Sequence, residues 1–210
     1  ISFSLVIILP LTGYLLVNHY SKGAVVMPRH YFPEKDKQGK IITTQTKKGP
    51  DTVWHHIPNL NLTNQLGKKV SLDDLHGKIL VINFFHSRCQ SECPQVALNM
   101  RRLQQSFQKN PDIVQFISIS ADPEKDSTQQ LRSFADKYNA NPDSWWFVNG
   151  NRKDIYDFAI NELHAKYADP NMDTAFIHTQ KLFLIDSNRI VRGLDRKSTR
   201  LNSSHEWISR

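Results

Sequence analysis

Cysteine is scarce in this chain, which has two among 210 residues. Two are too few for a framework of several disulfides or for a metal site closed by four thiolates. No internal repeat or low-complexity tract is present, so a solenoid or a fibrous architecture is excluded. The 39% hydrophobic and 22% charged content is that of one well-buried globular domain. The formal charge is +7, yet lysine and arginine are scattered, and nowhere do basic and aromatic residues interleave as a nucleic-acid surface requires. No nucleic-acid partner is expected.

Charge is also missing from one long stretch. Ile1 to Val17, ISFSLVIILPLTGYLLV, carries none. At about 1.5 Å per helical residue it is near the lower limit for a membrane span. It reads as a transmembrane anchor truncated at its start, residues 1–20. A signal-peptide core is the alternative, disfavoured because no small-x-small cleavage site follows. A buried soluble helix fits less well, since Pro10 would kink it and no polar face exists. Residues 21–53 are polar and turn-prone, with Pro28, Pro33 and Pro50, and read as a stalk. At the other end, Asp195 to Arg210, DRKSTRLNSSHEWISR, lacks hydrophobic periodicity and back-translates into a widely used sequencing-adapter oligonucleotide. Residues 195–210 are therefore set aside as translated adapter.

What is present is concentrated at one junction. Both cysteines, Cys89 and Cys93, fall between an apolar run, Ile79 to Phe85, and a helical pattern carrying Val96, Leu98, Met100 and Leu103. Pro94 suits the first turn of a helix, where its missing N–H costs nothing, so Cys93 is expected at the helix start and Cys89 in the loop before it. Unpaired amides at that end stabilise a thiolate; His86 and Arg88 can add positive charge, and Glu92 opposes them. A separation of four residues can bring two sulfurs together, either as a disulfide or as a grip on one soft metal ion. Both chemistries stay open on spacing alone, as does the blander reading of two structural cysteines.

The run GKILVINFFHSRCQSECP resembles the signature of the Sco (SenC) copper chaperones, thioredoxin-like proteins with a C-x-x-x-C-P motif after a core strand. Two further blocks agree in order. IPNLNLT with QLGKK precedes the cysteines, and the strand Ile113 to Ser120 followed by ADPEKDS comes after them, where Ser127 and Gln130 make a capping box for a helix to about Tyr138. Beyond these lie a strand at Trp145 to Val148 and a helix marked by Ile155, Phe158, Ala159 and Leu163. A hairpin of Lys181–Ile185 with Arg189–Arg192 closes the pattern. This alternation fits an α/β class, a thioredoxin-like fold with a central mixed β-sheet flanked by helices and preceded by the transmembrane segment, the domain being residues 54–194.

The resemblance implies a third site residue. A histidine stands in the family a few residues ahead of the closing hairpin, and the match is His178. Two thiolates and one imidazole suit copper, as Cu(I) or, with added ligands, Cu(II); zinc would normally take a fourth protein ligand. His86 reads as a neighbour tuning the thiols, and the pair His55 and His56 as surface residues. Departures from the family pattern are Gln90, Ile177 and Ser187 in place of proline, aspartate and proline. The Ile177 change leaves His178 without one polar neighbour.

The function so implied is a membrane-anchored copper chaperone and not an enzyme. It would deliver copper through Cys89, Cys93 and His178 to the CuA site of cytochrome c oxidase subunit II, at the bacterial inner membrane with its domain facing the periplasm. The alternative is a thiol–disulfide oxidoreductase using Cys89 and Cys93 as a redox-active pair on acceptor cysteines, which has no need of His178. Both need a partner thiol reductase or an upstream copper donor in an oxidising compartment. A thioredoxin-like peroxidase is disfavoured, because Ser87 does not stand in the pattern such enzymes use.

Overall fold

The strand expected at the cysteine junction forms inside a mixed, seven-stranded sheet, beside its middle strand. A computed structural model describes residues 10–14, 30–47, 49–89, 93–165 and 181–196. The strands are β1 Thr43–Thr46, β2 Gly49–Thr52, β3 Asn61–Asn64, β4 Lys69–Ser71, β5 Ile79–Phe85, β6 Val114–Ser120, β7 Trp145–Asn149, β8 Lys181–Ile185 and β9 Val191–Arg196. The helices are α1 Cys93–Ser106, α2 Thr128–Lys137 and α3 Arg152–Asp157, the last running on through a π-helical turn, Phe158–Glu162. Among the described residues β1 and β2 pair only with each other, and the large sheet has the order β4-β3-β7-β6-β5-β8-β9. β5, β6 and β7 are parallel neighbours, and the outer pairings are antiparallel.

Each strand of the parallel core is buried on both faces, which is why it reads as an apolar run rather than an alternation. Leu80, Ile82 and Phe84 of β5, with Ile117 and Ile119 of β6, pack on one face against Leu72, Leu75, Ile155, Phe158, Ala159 and Leu163. Val81 and Phe85 pack on the other, with Phe116, Trp145 and Phe147, against Ala97 and Met100 of α1 and Leu131 and Phe134 of α2. The result is a helix–sheet–helix sandwich. α1 and α2, the crossovers of the two parallel steps, lie together on one face, as crossovers of constant hand require.

The closing hairpin of β8 and β9, the Ser127–Gln130 capping box and the α2 face of Leu131, Phe134 and Tyr138 all form as the sequence pattern implies. The apolar side of α1 forms in part: Met100 is buried and Val96 and Leu103 pack against the core, while Leu98 is 38% exposed, and Cys93, Ala97, Asn99 and Gln104 complete the buried face. Gln104 is polar but earns its place inside by donating to the Ser144 hydroxyl at 2.8 Å, which hydropathy cannot foresee.

Residues 30–53 are tied to the domain they precede. The Tyr31 amide donates to the Val191 carbonyl, the His55 amide to the Phe32 carbonyl, and Pro33 bridges Trp54. His55 is not a surface residue. It lies half-buried between Glu34 and Glu162, at 2.8 and 2.6 Å, because two carboxylates from distant segments replace its water. His56 is exposed. Among the described residues no helix is long and apolar enough to cross a membrane. The apolar run Ile1 to Val17 lies outside them apart from Pro10–Tyr14, and residues 197–210 lie outside them altogether.

Candidate metal centre

Cys89 and Cys93 meet at the carboxyl end of β5, where a parallel strand hands over to its crossover helix. Cys93 is the first residue of α1. A turn closes ahead of it, the Cys89 amide donating to the His86 carbonyl at 3.1 Å. The Cys93 amide donates in turn to Cys89 Sγ at 3.2 Å. Cys89 sulfur thus accepts from one of the amides that a helix start leaves unpaired, a contact that favours negative charge on it once reduced. The two cysteines are joined as a disulfide with Cα atoms 5.8 Å apart. Both are buried, at 8% and 9% exposure.

The loop between strand and helix is held from below by acids of the ADPEKDS block. Asp126 is fully buried and accepts from the Ser87 amide, at 3.2 and 3.3 Å, and from the hydroxyls of Ser87 and Ser120. Asp122, also buried, pairs with the Arg88 guanidinium. Read from sequence as a loop and a helix cap, this block is in fact the anchor of the cysteine loop. Its pattern of acids after a strand was visible, but its partners, 34 and 39 residues earlier, were not. Arg88, read from sequence as a positive charge near the thiols, is paired with Asp122.

His86 completes a cluster of soft and borderline donors. One ring nitrogen of His86 and the sulfurs of Cys89 and Cys93 all lie within 4.8 Å of one another. His178, the third site residue implied by resemblance, lies outside the described residues, as do Gln90, Glu92 and Ile177. The structure thus brings together Cys89, Cys93 and His86.

A thioredoxin-like α/β sandwich with a two-cysteine junction at the end of a buried parallel strand defines the class of protein. The SCO1/SenC family model matches residues 51–207, and the chain belongs to this family. It is similar to the SCO1 protein homolog of Bacillus subtilis, 31% identical over 136 residues that make up 64% of this chain and 70% of that protein. A protein of Stutzerimonas stutzeri described as copper-binding is 26% identical over 149 residues, 70% of this chain and 72% of that one. Among solved structures, BsSco, a member of the Sco family of cytochrome c oxidase assembly proteins in which a disulfide switch was identified, superposes with a TM-score of 0.63 at 27% identity. That match covers 76% of this chain and 94% of BsSco.

Proposed function

We propose that this chain is a membrane-anchored copper chaperone that carries copper as cargo, on Cys89, Cys93 and His178, to the CuA site of cytochrome c oxidase subunit II. The observation that carries the reading is the cysteine pair itself. Two sulfurs at a helix start, one already accepting an amide hydrogen bond, are the donors a soft cation prefers. Their burial strengthens the fit, since a pair of buried thiolates is costly without a cation between them. Family membership and the copper-binding description of a relative support it from outside the site.

Reduction opens the site. The Cys89–Cys93 disulfide accepts two electrons and two protons from a partner dithiol, which leaves as its own disulfide. The two thiols then release their protons as Cu(I) binds. Transfer proceeds by ligand exchange, the thiolates of the acceptor displacing those of this chain one at a time. The apolar run at the N-terminus tethers the domain to the bacterial inner membrane on its periplasmic side, where the acceptor site is assembled.

The disulfide favours a second reading, a thiol–disulfide oxidoreductase for the same acceptor. One thiolate of the reduced pair would attack an acceptor disulfide, and the other would resolve the mixed disulfide. The acceptor leaves as a dithiol and this chain in the form seen here. Loading the reduced chain with Cu(I) and mixing it with the metal-free CuA domain of subunit II separates the two. The chaperone gives one copper per chain, passes it on, and weakens by roughly 10- to 100-fold or more in His178→Ala, the range seen when a metal site loses its support. No specific copper binding, with the cysteines still cycling between dithiol and disulfide, leaves the oxidoreductase.

A further inference from the structure

His86 sits at the end of β5 with its ring turned to the sulfurs, and its position is fixed three ways. Phe85 before it is buried in the core beneath α1 and α2. Its carbonyl accepts from the Cys89 amide. Ser87 after it is held by the buried Asp126 through both amide and hydroxyl. His86 and Cys89 are therefore placed by one strand end and the turn that closes on it, with Cys93 at the start of α1. Metal–nitrogen and metal–sulfur bonds of about 2.0–2.3 Å put two ligands of one ion up to about 4.6 Å apart. Donor atoms within 4.8 Å of one another need only side-chain adjustment to share an ion.

We infer that His86 is a direct ligand of the metal, completing with Cys89 and Cys93 a two-sulfur, one-nitrogen site built entirely from this junction. The inference rests on the copper reading of the cysteine pair and adds a donor to it. The site needs nothing from the segment that carries His178. Reduction frees both sulfurs: the disulfide takes up two electrons and two protons from a partner dithiol, which leaves as its own disulfide. Binding of Cu(I) then releases the two thiol protons, and the neutral imidazole of His86 donates its lone pair. With His86 as a nitrogen ligand, copper stays three-coordinate when His178 lets go, so one ligand can be exchanged for an acceptor's without the ion falling to two-coordination.

The test uses the full reduced chain, Cu(I) presented from a competing chelator, and X-ray absorption of the loaded protein, across wild type, His86→Ala, His178→Ala and the double variant. His86→Asn, closer in size to imidazole, is carried alongside to separate loss of a donor from loss of packing. The expected result is that His178→Ala still holds one Cu(I) with two sulfur scatterers and one nitrogen. Adding His86→Ala or His86→Asn to it removes the nitrogen and costs a further roughly 10- to 100-fold in affinity. Unchanged affinity on replacing His86 in both backgrounds, with the nitrogen vanishing in His178→Ala alone, overturns the ligand role and leaves the chaperone reading standing. Absence of copper from reduced wild type overturns both.

Discussion

The carboxylate of Asp126, with no exposed surface, accepts the backbone amide of Ser87, two residues ahead of Cys89. Through this contact the loop after α2's partner strand β6 fixes the loop that carries the cysteines. Replacing Asp126 with alanine orphans the Ser87 amide and the hydroxyls of Ser87 and Ser120. At about 1–3 kcal/mol for a buried group left unpaired, the variant is expected to lose about 3 kcal/mol of stability in urea denaturation. Ser87→Ala, which keeps the amide contact, loses about 1 kcal/mol. Equal losses in the two variants would mean that the amide contact adds nothing.

Gln65 mends the sheet where no strand reaches. Its side-chain amide donates to the Trp145 carbonyl and its oxygen accepts the Phe147 amide, both at 3.0 Å, so a buried side chain pairs with β7 as a neighbouring strand would. Gln65→Leu keeps the volume but leaves both backbone groups dry and unpaired, and is expected to cost about 2–4 kcal/mol by chemical denaturation. A loss below about 0.5 kcal/mol, typical of surface changes, would show that water takes the place of the side chain.

His55 makes stability depend on pH. Burial pushes its pKa down, but the hydrogen bonds to Glu34 and Glu162 and the charge of the two acids outweigh burial, so the folded value lies above the ordinary 6.5. A raised folded pKa means that the stabilisation is complete below the unfolded pKa of about 6.5 and is lost as pH rises through the folded value. Urea midpoints of the wild type are therefore expected to fall across that window relative to those of His55→Ala. Parallel pH profiles for the two proteins would remove His55 from the explanation.

Legibility in the sequence followed the range of the interactions. The apolar run of β5, the strand at Ile113 to Ser120 and the Ser127–Gln130 box depend on neighbours within a few residues, and pattern alone located them. The meeting of Cys89 with Cys93 was likewise local, fixed by Pro94 and the helix start. What escaped was polar and distant. Asp126 and Ser87 are 39 residues apart, Gln65 and Trp145 80, and His55 and Glu162 107. The β1–β2 hairpin escaped for a different reason, since exposed residues such as Thr43 to Thr46 carry no buried face to betray a strand. His86 was noticed beside the thiols, but its distance to both sulfurs depends on the turn that Cys89 closes on it.

The most direct measurement is Cu(I) competition against a chelator of known affinity, run on the same preparation as dithiol and as Cys89–Cys93 disulfide. One tightly held copper per chain in the dithiol form and none in the disulfide form is the result expected of a copper carrier whose donors are these two sulfurs. Equal binding in both forms, or none in the dithiol, would contradict it.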